Sequence, residues 1–313
     1  MKTGKVRDFV FRYGPWRLVI QFLSFLFFSA IIFNLGVLSL LLPVMWTWAL
    51  PQNTVGDAFT AVQLTFSGWR GLAVAFPFLA FASFVLAGML IGKSMCGWVC
   101  PFGFVQDLID LVRRKKRDFS LRNHESMVYV KYAVLGIALF ISTTFAASKL
   151  MHTYASYQRA LGDFAFAPFS TLSPAETLFG TLPTMFHNLL IALTQNETLT
   201  VLSGVLKVPL VFWPQLIILI GVLVFVALVP RGWCRYFCPH GAIMALLNKF
   251  SFIGLRRDPV KCSKGGCRLC VEACPMRVPI LDLPWEKFSH EECIYCMKCA
   301  DACKDKAIKP TYP

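Results

Sequence analysis

The chain has 313 residues, 56% of them hydrophobic, 14% aromatic and only 15% charged, with a formal net charge of +14 at pH 7. An ordinary soluble protein carries about 25% charged residues; this balance, with a mean hydropathy of +0.59, excludes a conventional soluble domain and predicts a membrane protein. In so apolar a chain the excess Lys and Arg set orientation and meet anionic lipid, so the charge predicts no nucleic-acid partner.

Lys2, Lys5, Arg7, Arg12 and Arg17 open the chain. The apolar run behind them is longer than the roughly 7–15 residues of a signal-peptide core, so it reads as an anchor that stays. This first predicted span lies within 18–50, with no charge between Arg17 and Asp57. A second covers 71–92, between Arg70 and Lys93. A third covers about 127–149; its uncharged part is short, so Lys131 is expected to snorkel to the surface. A fourth covers 208–230, between Lys207 and Arg231. Each approaches the roughly 20 apolar helical residues that cross a bilayer core. The stretch Leu189–Leu193 is short and polar at both ends, and reads as an interfacial or re-entrant segment instead of a fifth span.

Lys and Arg cluster at the N-terminus, in the run 113–117, and at Arg231, Arg235, Arg256 and Arg257, and are sparse in 50–70 and 150–207. The positive-inside rule then places both termini in the cytoplasm of a prokaryotic inner membrane. Trp46, Trp48 and Trp213 fit an aromatic belt on the far side. All twelve cysteines fall on the cytoplasmic side, where a reducing environment suits thiol ligands.

Four cysteines form two C-x3-C-P corners that look duplicated: Cys96-Gly-Trp-Val-Cys100-Pro101-Phe-Gly103 and Cys234-Arg-Tyr-Phe-Cys238-Pro239-His-Gly241. Each follows the second span of a pair. After each proline comes a stretch with helical periodicity, through Phe104, Val105, Leu108, Ile109 and Val112, and through Ala242, Ile243, Leu246, Leu247 and Phe250. Cys100 and Cys238 would stand at helix N-termini, where the dipole favours thiolate. A pseudo-two-fold arrangement of the halves would bring all four thiols together, as a third cluster or as a pair of redox dithiols.

The other eight cysteines crowd the C-terminus. Cys262, Cys267, Cys270 and Cys274 form C-x4-C-x2-C-x3-C-P; Cys293, Cys296, Cys299 and Cys303 form C-x2-C-x2-C-x3-C. Short loops wrap three thiolates round one cubane while the fourth cysteine ligates the other cluster. The predicted sets are Cys262, Cys267, Cys270 and Cys303 for one [4Fe–4S] cluster, and Cys293, Cys296, Cys299 and Cys274 for the second. Structural zinc uses separated C-x2-C pairs instead of compact four-cysteine runs. Two departures stand out. The first loop has four residues, which makes Cys262 the least regular ligand. No proline follows Cys303, which predicts an altered local turn with the ligation kept.

The expected fold is thus an all-α polytopic membrane protein: four transmembrane helices with a two-fold internal repeat over 1–250, and a cytoplasmic 2[4Fe–4S] ferredoxin-like domain over 251–313. The phrases Cys96-Gly-Trp-Val-Cys100-Pro101 and Gly232-Trp233-Cys234-Arg-Tyr-Phe-Cys238-Pro239, followed by the two-cluster tail, resemble the NapH family of membrane ferredoxin-type quinol dehydrogenase components, with the related MauN and NosR-type membrane ferredoxins. The resemblance covers nearly the whole chain. It implies a quinol dehydrogenase electron-transfer subunit that works between the quinone pool and a periplasmic or membrane redox partner, with quinone or quinol as substrate. Two other readings of the residues are an iron–sulfur maturation, metal-reducing or redox-sensing protein, and a structural anchor for another redox enzyme.

Overall fold

A computed structural model describes residues 13–29, 85–86, 88–112, 120–161, 173–182, 185–186, 212–262 and 266–312. The chain divides into two compact units. One gathers Met1–Phe27, Val85–Leu135 and Phe225–Pro313; the other gathers Phe28–Phe84 and Gly136–Val224. Every cysteine belongs to the first.

The long helices are inside out. In α1 (Tyr13–Ser29) Arg17 and Gln21 are buried, while Trp16, Val19, Ile20, Phe22, Leu23 and Leu26 are exposed. Arg17 and Gln21 lie four residues apart and so share one face. After α2 (Ser94–Trp98) and α3 (Pro101–Val112) comes α4 (Leu121–Leu150), which buries His124, Lys131, Leu135, Ala138, Ser142 and Phe145 and exposes Tyr129, Ile137 and Phe140. Within α4, Asn123–Phe145 is long and apolar enough to cross a membrane. The short α5 (Tyr154–Leu161) and α6 (Pro174–Glu176), the latter running into one π turn at Thr177–Thr181, lead to α7 (Phe212–Leu228). This shorter apolar helix buries Gln215 and exposes Trp213, Ile217, Ile220 and Val224.

The third and fourth predicted spans therefore fall on α4 and α7. Most of the first and second predicted spans lie outside the described residues, as do Trp46, Trp48, the basic run 113–117 and residues 187–206. Lys131 corrects the sequence expectation. It does not snorkel but is fully buried, because Glu292 of the tail offers it a carboxylate.

The two corners share one construction. In the first, Val99 N–H and Cys100 N–H both donate to Met95 O, at 3.0 and 2.9 Å; in the second, Phe237 N–H and Cys238 N–H both donate to Trp233 O, at 3.0 and 3.1 Å. Each closes a five-residue helix, α2 or α8 (Gly232–Tyr236). Pro101 and Pro239 then open α3 and α9 (Pro239–Asn248), where a ring with no N–H leaves no donor unsatisfied. The two stretches of helical periodicity are helices, and their buried faces include polar residues. α3 buries Gln106 and Asp107 and exposes Leu108, Leu111 and Val112; α9 buries His240, Met244 and Asn248 and exposes Leu246. Asp107 is buried because Arg17 and Arg231 pair with it.

The tail departs from the all-α expectation. β1 (Gly254–Arg257) pairs antiparallel with β2 (Ile308–Thr311), and Leu255 also bridges Phe288. Between the strands lie α10 (Leu269–Glu272), a 3-10 turn at Ile280–Asp282 and α11 (Lys298–Ala302). Strands of four residues are too short to announce themselves by alternation. Leu255, Met276, Val278, Ile280, Phe288, Ile294, Tyr295 and Ile308 form the tail's core.

Buried polar bonds fasten this tail to the corners. Glu292 pairs with Lys93 Nζ at 2.7 Å and with Lys131. Asn248 Nδ2 donates to the carbonyls of His290 and Cys293 at 2.6 and 3.0 Å, and its Oδ1 accepts Lys93 N–H at 2.9 Å. Trp98 Nε1 donates to Tyr295 O at 2.7 Å. Gly97 is required for close approach, since a Cβ there would stand 2.2 Å from Ile294 O. A second buried carboxylate, Asp107, pairs with both Arg17 and Arg231.

Removing one partner of a buried ion pair leaves an uncompensated charge and costs about 3–5 kcal/mol. Glu292→Gln is therefore expected to loosen the tail by about that amount, seen as rapid proteolysis between residues 250 and 313 in detergent. Replacing Lys93, Lys131 and Glu292 together by Met is expected to restore most of the resistance. Full resistance in Glu292→Gln would rule out the clamp.

Candidate metal centres

Four tail cysteines share one cavity. Cys274, Cys293, Cys296 and Cys299 line one cavity, walled by the apolar side chains of Leu255, Met276, Val278, Ile280, Phe288 and Ile294. Tyr295 and Met297, the residues between successive cysteines, have left-handed backbones with φ of 48° and 58°. Such residues turn the chain tightly, and turns of this kind make concavities lined by N–H groups. Burial pushes the Cys274 thiol up to about 11, with Cys296 adding to the shift. Burial likewise raises Cys293 and Cys299, and their cysteine neighbours in the set raise them further.

In the first set, burial raises Cys270, and Cys262 and Cys267 add to it, so these three lie within electrostatic reach of one another. Residues 263–265 of the longer loop lie outside the described residues. The helix α10, which carries Cys270, packs on α11, whose C-cap is Cys303. The turn after Cys303 corrects the expectation of an altered one. Val278 N–H reaches Cys274 Sγ and Ala307 N–H reaches Cys303 Sγ, both at 3.4 Å. Arg277 N–H reaches Cys274 O and Lys306 N–H reaches Cys303 O, both at 3.2 Å. Arg277 and Lys306 are left-handed, with φ of 55° and 50°. Lys304 thus takes the place of a proline without changing the turn.

Among the described residues no group of three His, Cys, Asp or Glu side chains could hold a metal ion. A zinc ion would draw its sulfurs to about 2.3 Å from one point. Four cysteines lining one apolar cavity are the kind of donor set that holds an iron–sulfur cluster. Cys274, Cys293, Cys296 and Cys299 fit that group.

The two corners contact one another. Gly103 N–H donates to Cys100 Sγ at 3.1 Å, and Gly241 N–H to Cys238 Sγ at 3.4 Å. Across the corners, Gln106 Nε2 donates to Cys234 Sγ at 3.0 Å, Arg231 Nη1 donates to Cys96 O at 2.7 Å, and the Phe102 and Trp233 rings meet edge to face at 6.2 Å. The expected lowering by helix dipoles does not prevail. Burial pushes Cys96 up to about 11 and raises Cys100 and Cys238 more, and Cys234 is the next cause in each case.

The charged residues around these sites were not singled out from sequence. Burial opposes the charge on Asp107, but Arg231 and Arg17 hold its carboxyl well below the usual range. Burial also opposes Glu292, yet Lys93 and Lys131 bring it down to about 2. Arg231 is held above its ordinary value by Asp107, against burial. A further buried cluster joins His124 Nδ1 to Tyr236 Oη at 2.9 Å and to Arg235 Nη2 at 3.1 Å. One signal was available: Lys93 and Arg231 each stand three residues before the first cysteine of a corner.

Comparison with known proteins agrees with this picture. One 4Fe-4S binding domain model matches residues 72–120 and again 211–257, each match containing one corner, and another matches 286–309 in the tail. The protein MJ0750 of Methanocaldococcus jannaschii, uncharacterized, is 29% identical over 73% of this chain and 76% of its own. The methylamine utilization ferredoxin-type protein MauN of Methylobacillus flagellatus is 24% identical over 84% of this chain and 76% of its own. The ferredoxin-type protein NapH of Escherichia coli is 24% identical over 71% and 63%. No solved structure matches the chain. The chain is a relative of the NapH, MauN and NosR ferredoxin-type proteins and carries 4Fe-4S binding domains.

Proposed function

We propose that this protein is a multi-pass subunit of the cytoplasmic membrane that moves electrons between the quinone pool and a periplasmic or membrane redox partner, with both termini in the cytoplasm. Residues 1–250 would form the membrane part and 251–313 would hold two [4Fe–4S] clusters. The observation that carries the reading is the reversal of polarity on α1, α4 and α7. Each buries Arg, Gln, Lys or Ser and exposes Leu, Ile, Val or Phe. Exposed apolar surface of that extent marks a lipid or protein partner, and in hydrocarbon polar residues turn towards the protein interior.

The clusters supply one-electron chemistry when bound. The protein's own residues set the conditions for it. Leu255, Ile280, Phe288 and Ile294 wall the second tail set off from water, which lowers the local dielectric and with it sets potential. Trp98 and Gly97 fix the corner backbone directly against Ile294 and Tyr295. The Lys93–Glu292–Lys131 clamp keeps that approach constant. A donor oxidised at the membrane edge would thus face a tail held at fixed range.

Anaerobic membranes containing the protein are expected to show bleaching of the cluster absorbance on addition of a reduced quinol analogue. Clusters that dithionite reduces but quinol does not would reject the quinone link. Reduction of an added metal without quinol turnover would favour the maturation or sensing reading instead. In Cys299→Ala about four irons, one cubane, are expected to be lost from the tail, with the signal of the first set retained; retention of all iron would refute the assignment. A phosphatase fusion at the C-terminus is expected to be inactive, and an active one would overturn the topology.

A further inference from the structure

The two cysteine sets of the tail meet different surroundings. The second set is held against the first corner, where Trp98 donates to Tyr295 O and Gly97 lies against Ile294 O. The first set is more open. Cys267 is exposed, and so are Gly266 and Arg268 on either side of it. Cys262 and Cys303 are half-buried, and each has an exposed lysine beside it in sequence, Lys261 and Lys304. Apolar side chains stand bare among these charges: Val260 is 92% exposed and Leu269 37%. Each of these residues is within two positions of a cysteine, so covalent reach keeps it at the set.

The strands supply a second observation. They end at the first set: Asp258 N–H donates to Ala307 O at 2.9 Å, Cys262 N–H donates to Asp258 O at 3.1 Å, and Ala307 N–H reaches Cys303 Sγ. Two pairs further along the sheet, Arg256 stands directly opposite Lys309, and both are exposed, while Leu255, Arg257 and Ile308 are buried. Like charges directly opposite one another destabilise a strand pair. An anionic partner on this outward face would neutralise both. The exposed carboxylates of Asp305 and Glu272 lie among the cations. Mixed charge of this kind fixes the register of a protein partner, whereas attraction to a lipid surface needs the cations alone.

We propose that this face of the tail, centred on Cys267 and bordered by Lys261, Arg268, Lys304 and the Arg256–Lys309 pair, docks a soluble acidic protein that carries one electron. The proposal rests on the reading that Cys262, Cys267, Cys270 and Cys303 hold a [4Fe–4S] cluster. It goes beyond the quinone link by giving the protein a second partner, on the side of the membrane where the tail lies. In the exchange the cluster loses one electron and the carrier's own centre gains it, or the reverse; no bond is made or broken and no other reactant takes part. Encounters between redox proteins are small and brief, with interfaces under about 1,200 Å², and charge steering sets their on-rate.

The test places the full chain in nanodiscs of phosphatidylcholine, a neutral lipid. The probe is an acidic flavodoxin, and basic cytochrome c is the control. Flavodoxin is expected to bind, roughly tenfold more weakly at about 0.5 M than at about 0.05 M salt, and cytochrome c is not. Arg268→Glu/Lys304→Glu is expected to weaken flavodoxin binding about tenfold with the iron content unchanged. Arg256→Glu places opposite charges across the strands. It is expected to weaken flavodoxin binding while the tail resists proteolysis at least as well as before, a separation that a merely structural pair would not give. Equal binding of both carriers, binding indifferent to salt, or unchanged binding in both variants would overturn the proposal. So would capture by phosphatidylglycerol vesicles that the variants lose, if flavodoxin does not bind. Iron measured on the same sample separates the proposal from the reading it rests on. No docking by a sample with about eight irons, two cubanes, overturns the docking face. Charge-dependent docking by a sample that lacks the iron of the first set supports the face and overturns the cluster assignment.

Discussion

Glu292, one residue before the first cysteine of the second tail set, lies between Lys93 and Lys131 with almost no contact with water. The first unit depends on this contact. In a low-dielectric setting neither lysine can stay charged alone, and neither can the carboxylate. The three are tolerable only together, so the tail has one place to dock. Asn248 repeats the constraint in neutral form, bonding at once to Lys93 on one side and to His290 and Cys293 on the other. Directional bonds to buried groups specify register in a way that apolar contact does not.

Asp107 does for the corners what Glu292 does for the tail. It draws Arg17 from α1 and Arg231 from the start of α8 onto α3. Gln21 adds bonds to Asp107 and to Gly97 O, and Arg17 Nε donates to the same carbonyl at 2.8 Å. Arg231 itself has a left-handed backbone, φ 54°, a conformation unusual for a long side chain. Its three bonds, two to Asp107 and one to Cys96 O, hold it there. Local strain and buried charge thus concentrate where the chain brings its cysteines together, as expected where a site overrides local preference.

The same local geometry recurs at two scales. The corners repeat the same carbonyl, proline and glycine–sulfur bonds, and the turns after Cys274 and Cys303 repeat the same pair of bonds with a proline in one and a lysine in the other. What repeats is backbone geometry round a sulfur. What does not repeat is the charge: Lys93 turns to the tail and Arg231, at the matching position, turns to Asp107. One half of the pattern binds the tail and the other binds α3.

The cysteine sets were legible because ligand loops of two or three residues are local objects, whose geometry follows from covalent reach. The grouping of Cys274 with Cys293, Cys296 and Cys299, and the helices opened by Pro101 and Pro239, follow from such spacing. The apolar runs at α4 and α7 were legible for the same reason, since composition over some twenty residues decides them. The buried face of α3, the short strands of the tail and the fate of Lys131 were not. Glu292 and Lys93 are 199 positions apart, and Glu292 and Lys131 are 161 apart. A lysine near the end of an apolar run reads as a snorkelling residue until a carboxylate from a distant segment arrives beside it. The sequence by itself determined how the cysteines are spaced and which segments are apolar; only the tertiary structure decided which buried charges neutralise one another, because that depends on proximity in space and leaves no local pattern.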